Sequence, residues 1–446
     1  IDGPPQSEPA GASVELPSAE FEDVVCLGCG CLCDDLAVRV RGGRLIDLRH
    51  ACDLGIAWFD EAARGGEGPE AAIDGRAATP DAGLDVAAEI LRRSKRPVFF
   101  GLTRTTTEVV RATLALADRL GGLVLLSGSA DRRPRREAFQ EVGKVTATLG
   151  EVRNRADLVI FWGGDPTPRM PRHAERYSLD PSSRFLPRGR QDRFVIEVGA
   201  TDSPTSIHPD LKIHLTVDQE LEFVAAARRA LRAPEESEAL GRSVGLPDGL
   251  FAEFTTRLRS SRYGALFYRP LSDLSVRMRP GWVAISGLVR DLNDGRRFVL
   301  MEYGGPGNAT GAAAAMTWQT GFADAVDFRT GSPRPVEDRT SLDDVLSAGE
   351  SDALVVLADA LPENLSPSAR RHLGQSPVVV VAPDATTRRE PTPSVALNSA
   401  TTGVEAAGSV TRSDGVALPL RPLRASRFPT ERAWLRRLSR RLGAGT

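Results

Sequence analysis

A chain of 446 residues with 41% apolar side chains has material for two to four domains with sizeable cores, and its formal net charge of −2 gives no bulk attraction to nucleic acid or to an anionic membrane. Its longest apolar runs, such as residues 377–383, are strand-sized and far short of the roughly 20 residues that a membrane-spanning helix needs. A globular chain with no membrane segment and no nucleic-acid partner is therefore expected.

Residues 1–20, IDGPPQSEPAGASVELPSAE, lack a basic region followed by an apolar core, so no signal peptide is read there; their Pro, Ser, Glu and Gly content predicts a disordered leader. All five cysteines follow at positions 26, 29, 31, 33 and 52. A secreted disulfide framework would spread its cysteines along the chain, so the clustering points to the reducing cytoplasm. Cys26-x2-Cys29-x3-Cys33, with Cys52 returning later, offers four soft sulfur donors suited to a [4Fe-4S] cluster or to tetrahedral zinc. Zinc sites favour paired C-x2-C units, so the x3 step and the lone distant cysteine favour iron–sulfur; a reduced cysteine-rich loop without metal is the plain alternative. Cys31 lies between the ligands and is read as a spare thiol. Residues 21–60 form one metal-organised module.

Within that module, residues 36–48 alternate apolar and polar side chains around Gly42-Gly43, which predicts a β-hairpin able to carry Cys52 back to the cysteine loop. Helical spacing follows at 80–94, a buried strand at 97–102 and a second helix at 107–120. Strands are predicted at 123–126, 158–162, 194–198 and 213–217, with a helix at 220–231. This alternation predicts parallel, doubly wound sheets. Residues 235–253 are richer in loop formers and divide the chain into expected α/β lobes at 61–235 and 236–390. The second lobe has strands at 297–302, 353–357 and 377–382. Residues 391–446 form a C-terminal cap, with a hairpin or loop at 411–424 and a helix at 430–442.

Two basic stretches stand out. Arg132, Arg133, Arg135 and Arg136 surround Pro134 and are read as a turn that either faces solvent or binds an anion; the terminal helix carries Arg432, Arg436, Arg437, Arg440 and Arg441. Other motifs have plain readings when taken alone. Trp162 with Gly163-Gly164 at a strand end fits packing and a turn, His173 fits a satisfied structural histidine, and Gly307-Asn308 before an Ala-rich run fits an anion-cradling helix start. No Ser-His-Asp or His-Glu-x-x-His pattern offers a separate hydrolase site.

Taken together and in order, these stretches resemble one family. Cys26-Leu-Gly-Cys29-Gly-Cys-Leu-Cys33-Asp-Asp, Ala51-Cys52, Gly101-Leu-Thr-Arg-Thr-Thr-Thr-Glu108, Phe161-Trp-Gly-Gly-Asp-Pro166, Pro171-Arg-His173, Gly307-Asn308-Ala-Thr-Gly311 and Trp318-Gln-Thr-Gly321 with Ala325-Val-Asp-Phe328 are similar to the B subunit of formylmethanofuran dehydrogenase, a branch of the molybdopterin oxidoreductases, and to its bacterial relative in the formyltransferase/hydrolase complex. The resemblance runs from about Cys26 to the C-terminus. It implies a multi-lobed molybdopterin-oxidoreductase-like fold, a [4Fe-4S] cluster on Cys26, Cys29, Cys33 and Cys52, and a pterin cleft to which Trp162, Gly163, Asp165, His173, Gly307 and Asn308 belong. The implied partners are the other subunits of the complex and a furan-type formyl carrier with a polyglutamate chain.

The departures from the family pattern bear on activity. In the redox branch, the loop after the 97–102 strand supplies a cysteine or selenocysteine to molybdenum or tungsten, and alignment puts Thr107 at that position. A hydroxyl is a poor replacement for a soft anionic sulfur, and no cysteine follows Cys52. Asp165 stands where relatives commonly have Asn, and Met170 where they commonly have His. An arginine expected before the Gly-Asn motif has no counterpart in the 302–307 segment. The expectation is the B subunit of a formyltransferase/hydrolase complex in tetrahydromethanopterin-linked C1 metabolism, without redox activity of its own and with its molybdenum or tungsten bis-pterin absent. The alternatives are a working molybdenum or tungsten dehydrogenase and, from another class, a zinc-stabilised binding module.

Overall fold

A computed structural model describes residues 18–64, 68–200, 206–271, 275–387 and 392–443. Residues 1–17 of the expected leader lie outside the described residues, whereas 18–20 already belong to a strand. That strand, β1 (Ser18–Val24), pairs antiparallel with β2 (Leu36–Arg41), and β2 pairs with β3 (Arg44–Arg49) across the Gly42-Gly43 turn. Helix α1 (Asp53–Arg64) follows at once and returns the chain to the cysteine loop.

The chain then forms β4 (Ala71–Ile73), β5 (Arg76–Ala78), α2 (Pro80–Arg93), β6 (Pro97–Gly101), α3 (Thr107–Leu120) and β7 (Leu123–Leu126). Helix starts are dictated locally. Thr79 accepts a hydrogen bond from Ala82 N at 3.2 Å ahead of Pro80, and Thr106 caps α3 through Val109 N at 3.4 Å. Next come α4 (Ser129–Val142), α5 (Leu149–Arg155), β8 (Leu158–Trp162), β9 (Phe194–Gly199), β10 (Leu211–His214), α6 (Gln219–Ala230), α7 (Ser237–Ser243), α8 (Leu250–Ser260), β11 (Tyr263–Tyr268), α9 (Ser275–Leu292) and β12 (Arg297–Glu302). The remainder is α10 (Ala309–Thr320), β13 (Ala325–Asp327), β14 (Arg334–Pro335), α11 (Leu342–Ser347), β15 (Ala353–Leu357), α12 (Pro367–Leu373), β16 (Val378–Ala382), β17 (Val395–Asn398), the hairpin β18 (Gly408–Thr411) and β19 (Ala417–Leu420), and α13 (Glu431–Gly443).

Sheet membership does not follow the expected lobes. β8–β12 form one five-stranded parallel sheet in the order β10-β9-β8-β11-β12, so the boundary expected at residue 235 falls inside it. The expected loop-rich divider is α7 and α8, whose Phe251, Phe254 and Leu258 are buried in that sheet's core. The nine-stranded sheet, β14-β13-β7-β6-β15-β16-β17-β4-β5, takes strands from both sides of this insertion, with β7-β6-β15-β16-β17 parallel at its centre. Each sheet therefore has a point where connections leave in opposite directions: between β6 and β15 in one, and between β8 and β11 in the other. Open parallel sheets bind ligands at the carboxyl ends of such strands.

The expected Arg-Pro turn is a second correction. Pro134 sits inside α4, and three of the arginines are held to other elements, Arg132 and Arg136 to Asp324 at 2.6 and 2.8 Å and Arg135 to Glu302 at 2.5 Å, while Arg133 pairs with Glu137 of the same helix at 2.7 Å. The guanidiniums of Arg132, Arg135 and Arg136 fasten α4 to the segments around residues 302 and 324, which offsets the helix bond lost at Pro134. They do not form an open anion site.

Candidate metal centre and cofactor cleft

The cysteine loop folds back on itself, with Cys26 N donating to Cys33 O at 2.8 Å and Leu32 N to Cys29 O at 3.2 Å. Gly30 presses against the backbone of Gly304, where a Cβ would collide with the carbonyl, so no other residue fits there. Cys26, Cys29, Cys31 and Cys33 are buried, Cys52 is partly exposed, and all five are free thiols. Gly55 shows that Cys52 has returned: a Cβ on it would lie 3.2 Å from Cys26 Sγ and 3.9 Å from Cys52 Sγ. The β2–β3 hairpin and the first turn of α1 thus bring the distant cysteine to the loop. The β18–β19 hairpin covers the assembly, packing Val410, Leu418 and Leu420 on Val25, Leu27 and Leu32.

Electrostatics sort the thiols. Hydrogen bonding to Cys31 pulls Cys29 down to about 7 and lowers Cys33, which Arg176 and Arg172 lower further. Cys31 is pushed up by the same bonds, so it acts as an S–H donor between its neighbours rather than as an idle thiol. Burial pushes Cys26 up to about 12, helped by the like charges of Cys33, Cys29 and Cys52. Among the described residues no three His, Cys, Asp or Glu side chains form a ready cage for a single ion. The donor set itself, convergent soft sulfur beside two guanidiniums, fits an anionic iron–sulfur group.

An ion-pair network beneath the loop escaped the sequence reading. Arg172 donates from Nη1 and Nη2 to the two oxygens of Asp35, each at 2.8 Å, and also pairs with Glu175 at 2.8 Å. Arg176 pairs with Asp34 at 2.7 Å and with Asp35. The available signal was the Asp34-Asp35 pair directly after Cys33 and two arginines one helical turn apart.

The expected cleft residues fall in two places. Trp162 ends β8 fully buried, and its indole N–H donates to Glu220 at 2.8 Å. Gly163 adopts φ 92°, and a Cβ there would stand 2.6 Å from Arg269 O, so the β8 crevice requires glycine. Asp165 accepts from Thr167 N at 2.7 Å, Ser206 N at 2.8 Å and Ser206 Oγ at 2.7 Å; against the cost of burial, these bonds hold it below the usual carboxylate range. His173 is wholly buried, its ring edge-on to Phe267 at 4.6 Å and its Nδ1 2.9 Å from Ser178 Oγ. Burial pushes it down to about 4, so it is a neutral core histidine. Tyr303, also missed, has a buried hydroxyl without a hydrogen-bond partner, and burial pushes its phenol well up, with the charges of Asp165 and Glu197 adding to the rise. A buried polar atom of this kind, beside a glycine-lined turn at a switch point, fits a cofactor arm.

Gly307 and Asn308 lie at the other crevice. Gly307 N donates to Leu27 O at 3.2 Å, and Asn308 N to Thr103 O at 2.6 Å. The Asn308 amide donates to Thr105 O at 3.0 Å and Thr107 Oγ1 at 3.3 Å, and its Oδ1 accepts from Thr411 N at 2.8 Å. Asn308 thus fastens the loop after β6 to the C-terminal hairpin, while its neighbour Gly307 ties the same turn to the cysteine loop, and the Asn308 side chain has no donor left for a phosphate. The loop after β6 is equally engaged: Thr103 donates to Asp359, Thr105 to Glu431, Thr106 caps α3, and the buried Thr107 hydroxyl accepts from Asn308.

No family model matches the chain. It is 31% identical over 405 residues to the B subunit of the tungsten-containing formylmethanofuran dehydrogenase 2 of Methanocaldococcus jannaschii, covering 90% of this chain and 92% of the relative. Identity to the protein of the same description from Methanococcus maripaludis is 31% over 412 residues, covering 90% and 93%. The B subunit of the formyltransferase/hydrolase complex Fhc of Methylorubrum extorquens is 27% identical over 293 residues, covering 64% and 74%. The fold is that of a chain in the crystal structure of the Methylorubrum extorquens complex FhcABCD with methylofuran, at TM-score 0.66 and 24% identity over 84% of this chain and 99% of that one. It is also that of acetylene hydratase from Pelobacter acetylenicus, at TM-score 0.65 and 10% identity over 95% and 69%. With 31% identity across nine-tenths of its length, the chain belongs to the family of formylmethanofuran dehydrogenase B subunits.

Proposed function

We propose that this chain is the B subunit of a formyltransferase/hydrolase-type complex and carries out no redox turnover of its own. The observation that carries this reading is the loop after β6. Thr103, Thr105, Thr106 and Thr107 are all engaged in internal hydrogen bonds, and no cysteine lies beyond residue 52. A loop that supplies a metal ligand keeps a soft donor turned outward; this one keeps hydroxyls turned inward.

On this reading Cys26, Cys29, Cys33 and Cys52 hold a [4Fe-4S] cluster, which supplies one-electron chemistry or structural cross-linking when bound. The chain's own work is positioning: Arg172 and Arg176 clamp the segment after Cys33, and Gly307 and Asn308 together set the cysteine loop, the loop after β6 and the C-terminal hairpin against one another. Apolar side chains left on the surface, Trp318 at 69% exposure with Ile46 and Ile56 beside the cysteine module, offer contact areas to the other subunits. A furan-type carrier with a polyglutamate chain is the proposed small-molecule partner. With the α4 arginines engaged, its carboxylates would meet Arg432, Arg436 and Arg440, which line a groove of about 560 Å³ and have no ion-pair partner among the described residues. Five free thiols suit the cytoplasm, and no described helix is long and apolar enough to cross a membrane.

A second reading, an active tungsten or molybdenum dehydrogenase, is favoured by one comparison: the tungsten-containing relatives match 90% of this chain and the Methylorubrum extorquens protein 64%. Elemental analysis and dye-linked oxidation of formyl carrier by the purified complex separate the two readings.

A further inference from the structure

The amino edge of the five-stranded sheet carries a surface that neither reading above uses. There the segment between β8 and β9 presents Phe185, 47% exposed, at the rim of a groove of about 640 Å³. The Arg155 guanidinium lies 4.5 Å from the centre of its ring and the Arg184 guanidinium 5.8 Å. Arg155 and Arg184 are themselves exposed, as is Arg153, and none of the three has a carboxylate partner among the described residues.

The segment that bears Phe185 is fixed. Arg193 is buried and donates to Leu179 O and Ala156 O at 2.8 and 3.1 Å, and to Arg153 O and Pro181 O at 2.8 and 2.9 Å. One guanidinium thus fastens the segment to the carboxyl end of α5, which carries Arg153 and Arg155. Leu186 is wholly buried, and Ser183 closes the turn around Phe185, its N–H donating to Leu186 O at 3.0 Å and its hydroxyl accepting from Leu186 N at 3.1 Å. An aromatic ring already held outward loses little freedom when a partner covers it. The other cations of the groove are engaged: Arg188 with Asp192 at 2.6 Å, Arg262 with Asp157 at 3.1 Å and Arg257 with Glu253 at 2.7 Å. Arg153, Arg155 and Arg184 remain as a local excess of positive charge on a chain whose net charge is −2.

We propose that this surface docks an acidic protein partner, which covers the Phe185 ring and sets carboxylates against Arg155 and Arg184. The partner is a companion subunit, so the proposal rests on the complex inferred above. Rigid aromatic and arginine anchors are the side chains that carry most interface energy, and a guanidinium beside an aromatic ring is free to take a carboxylate through two parallel hydrogen bonds. A second copy of this chain does not fit, because a two-fold contact repeats the same patch on both sides and sets arginine against arginine. Arg155 also complements the dipole at the carboxyl end of α5, but that role needs neither an exposed Phe185 nor Arg184.

The test uses the purified complex with the photo-crosslinker p-benzoylphenylalanine in place of Phe185. Irradiation is expected to join this chain to a companion subunit, at a segment rich in Asp and Glu when the product is mapped by mass spectrometry. In parallel, the double variant Arg155→Glu, Arg184→Glu is expected to raise the concentration at which the complex half-dissociates by about tenfold or more and to weaken its dependence on salt. No crosslink, or crosslinks only to a second copy of this chain or to nucleic acid, overturns the proposal, and so does unchanged half-dissociation in the double variant. Should that variant not fold, the crosslink decides. A wild-type chain that purifies without companions removes the inferred complex and this proposal with it, whereas a wild-type complex with neither crosslink nor charge effect removes the docking surface alone.

Discussion

Arg172 and Asp35 meet face to face, each guanidinium nitrogen 2.8 Å from its own carboxylate oxygen, and this pair ties the segment after Cys33 to the turn that carries His173. The arginine is buried and the carboxylate partly exposed, so the contact is both a charge pair and a positioning device for the thiols above it.

Arg172→Gln should lower stability by about 2 kcal/mol, the scale for removing one partner of a hydrogen-bonded, partly exposed charge pair. Denaturant unfolding measures the loss. The same variant should speed alkylation of Cys33, since loosening a buried loop admits the reagent and outweighs the loss of one nearby positive charge; wild-type reactivity would mean that the pair supports the fold without placing the thiol.

The buried His173 sets a pH dependence. Its folded value is about 4 and its unfolded value about 6.5, so below 6.5 the unfolded chain takes up the proton first. Stability should fall as pH drops from 6.5 towards 4, by about 3 kcal/mol from this group. The slope in that interval should be reduced in His173→Gln, whatever that variant's baseline stability, and an unchanged slope would assign the dependence to other groups.

Anaerobic reconstitution tests the thiol assignment. Wild type should take up about four iron atoms and four sulfides per chain. Cys33→Ser and Cys52→Ser should lose most of this, whereas Cys31→Ser should keep it, because Cys31 donates to its neighbours rather than completing the set. Iron retained without Cys52 and lost without Cys31 would exchange their roles.

Replacing Arg432, Arg436 and Arg440 together by Gln should weaken binding of the polyglutamate-bearing carrier to the complex by about tenfold or more and remove most of its salt dependence, since these arginines lie in one unpaired stripe on α13. The α4 arginines should matter for stability instead, because Asp324 and Glu302 hold them.

Local order was legible in the sequence where one residue type decides a conformation. The Gly42-Gly43 turn fixes the hairpin, Thr79-Pro80 starts α2, and the unbroken apolar runs ending at Gly101, Trp162 and Ala382 are fully buried parallel strands. The Arg132–Arg136 run misled because proline and charge read as a turn when taken locally, while the ion pairs that make it helical lie about 190 residues away at Asp324 and about 170 away at Glu302. The lobes were misplaced for a related reason. Which strands share a sheet depends on packing after an insertion, and periodicity along the chain carries no record of it. In the candidate site, cysteine spacing announced the thiol nest, whereas Tyr303 matters through burial and a missing partner, which only three dimensions reveal.

The most direct test of the central claim is metal and pterin analysis of the purified complex, made alongside dye-linked oxidation of formyl carrier. With the Thr107 hydroxyl held by Asn308 and no later cysteine, the account predicts neither tungsten nor molybdenum and no dye reduction, in wild type and in Thr107→Cys alike. Stoichiometric metal-pterin with dye reduction by the wild-type complex would contradict it and establish the dehydrogenase.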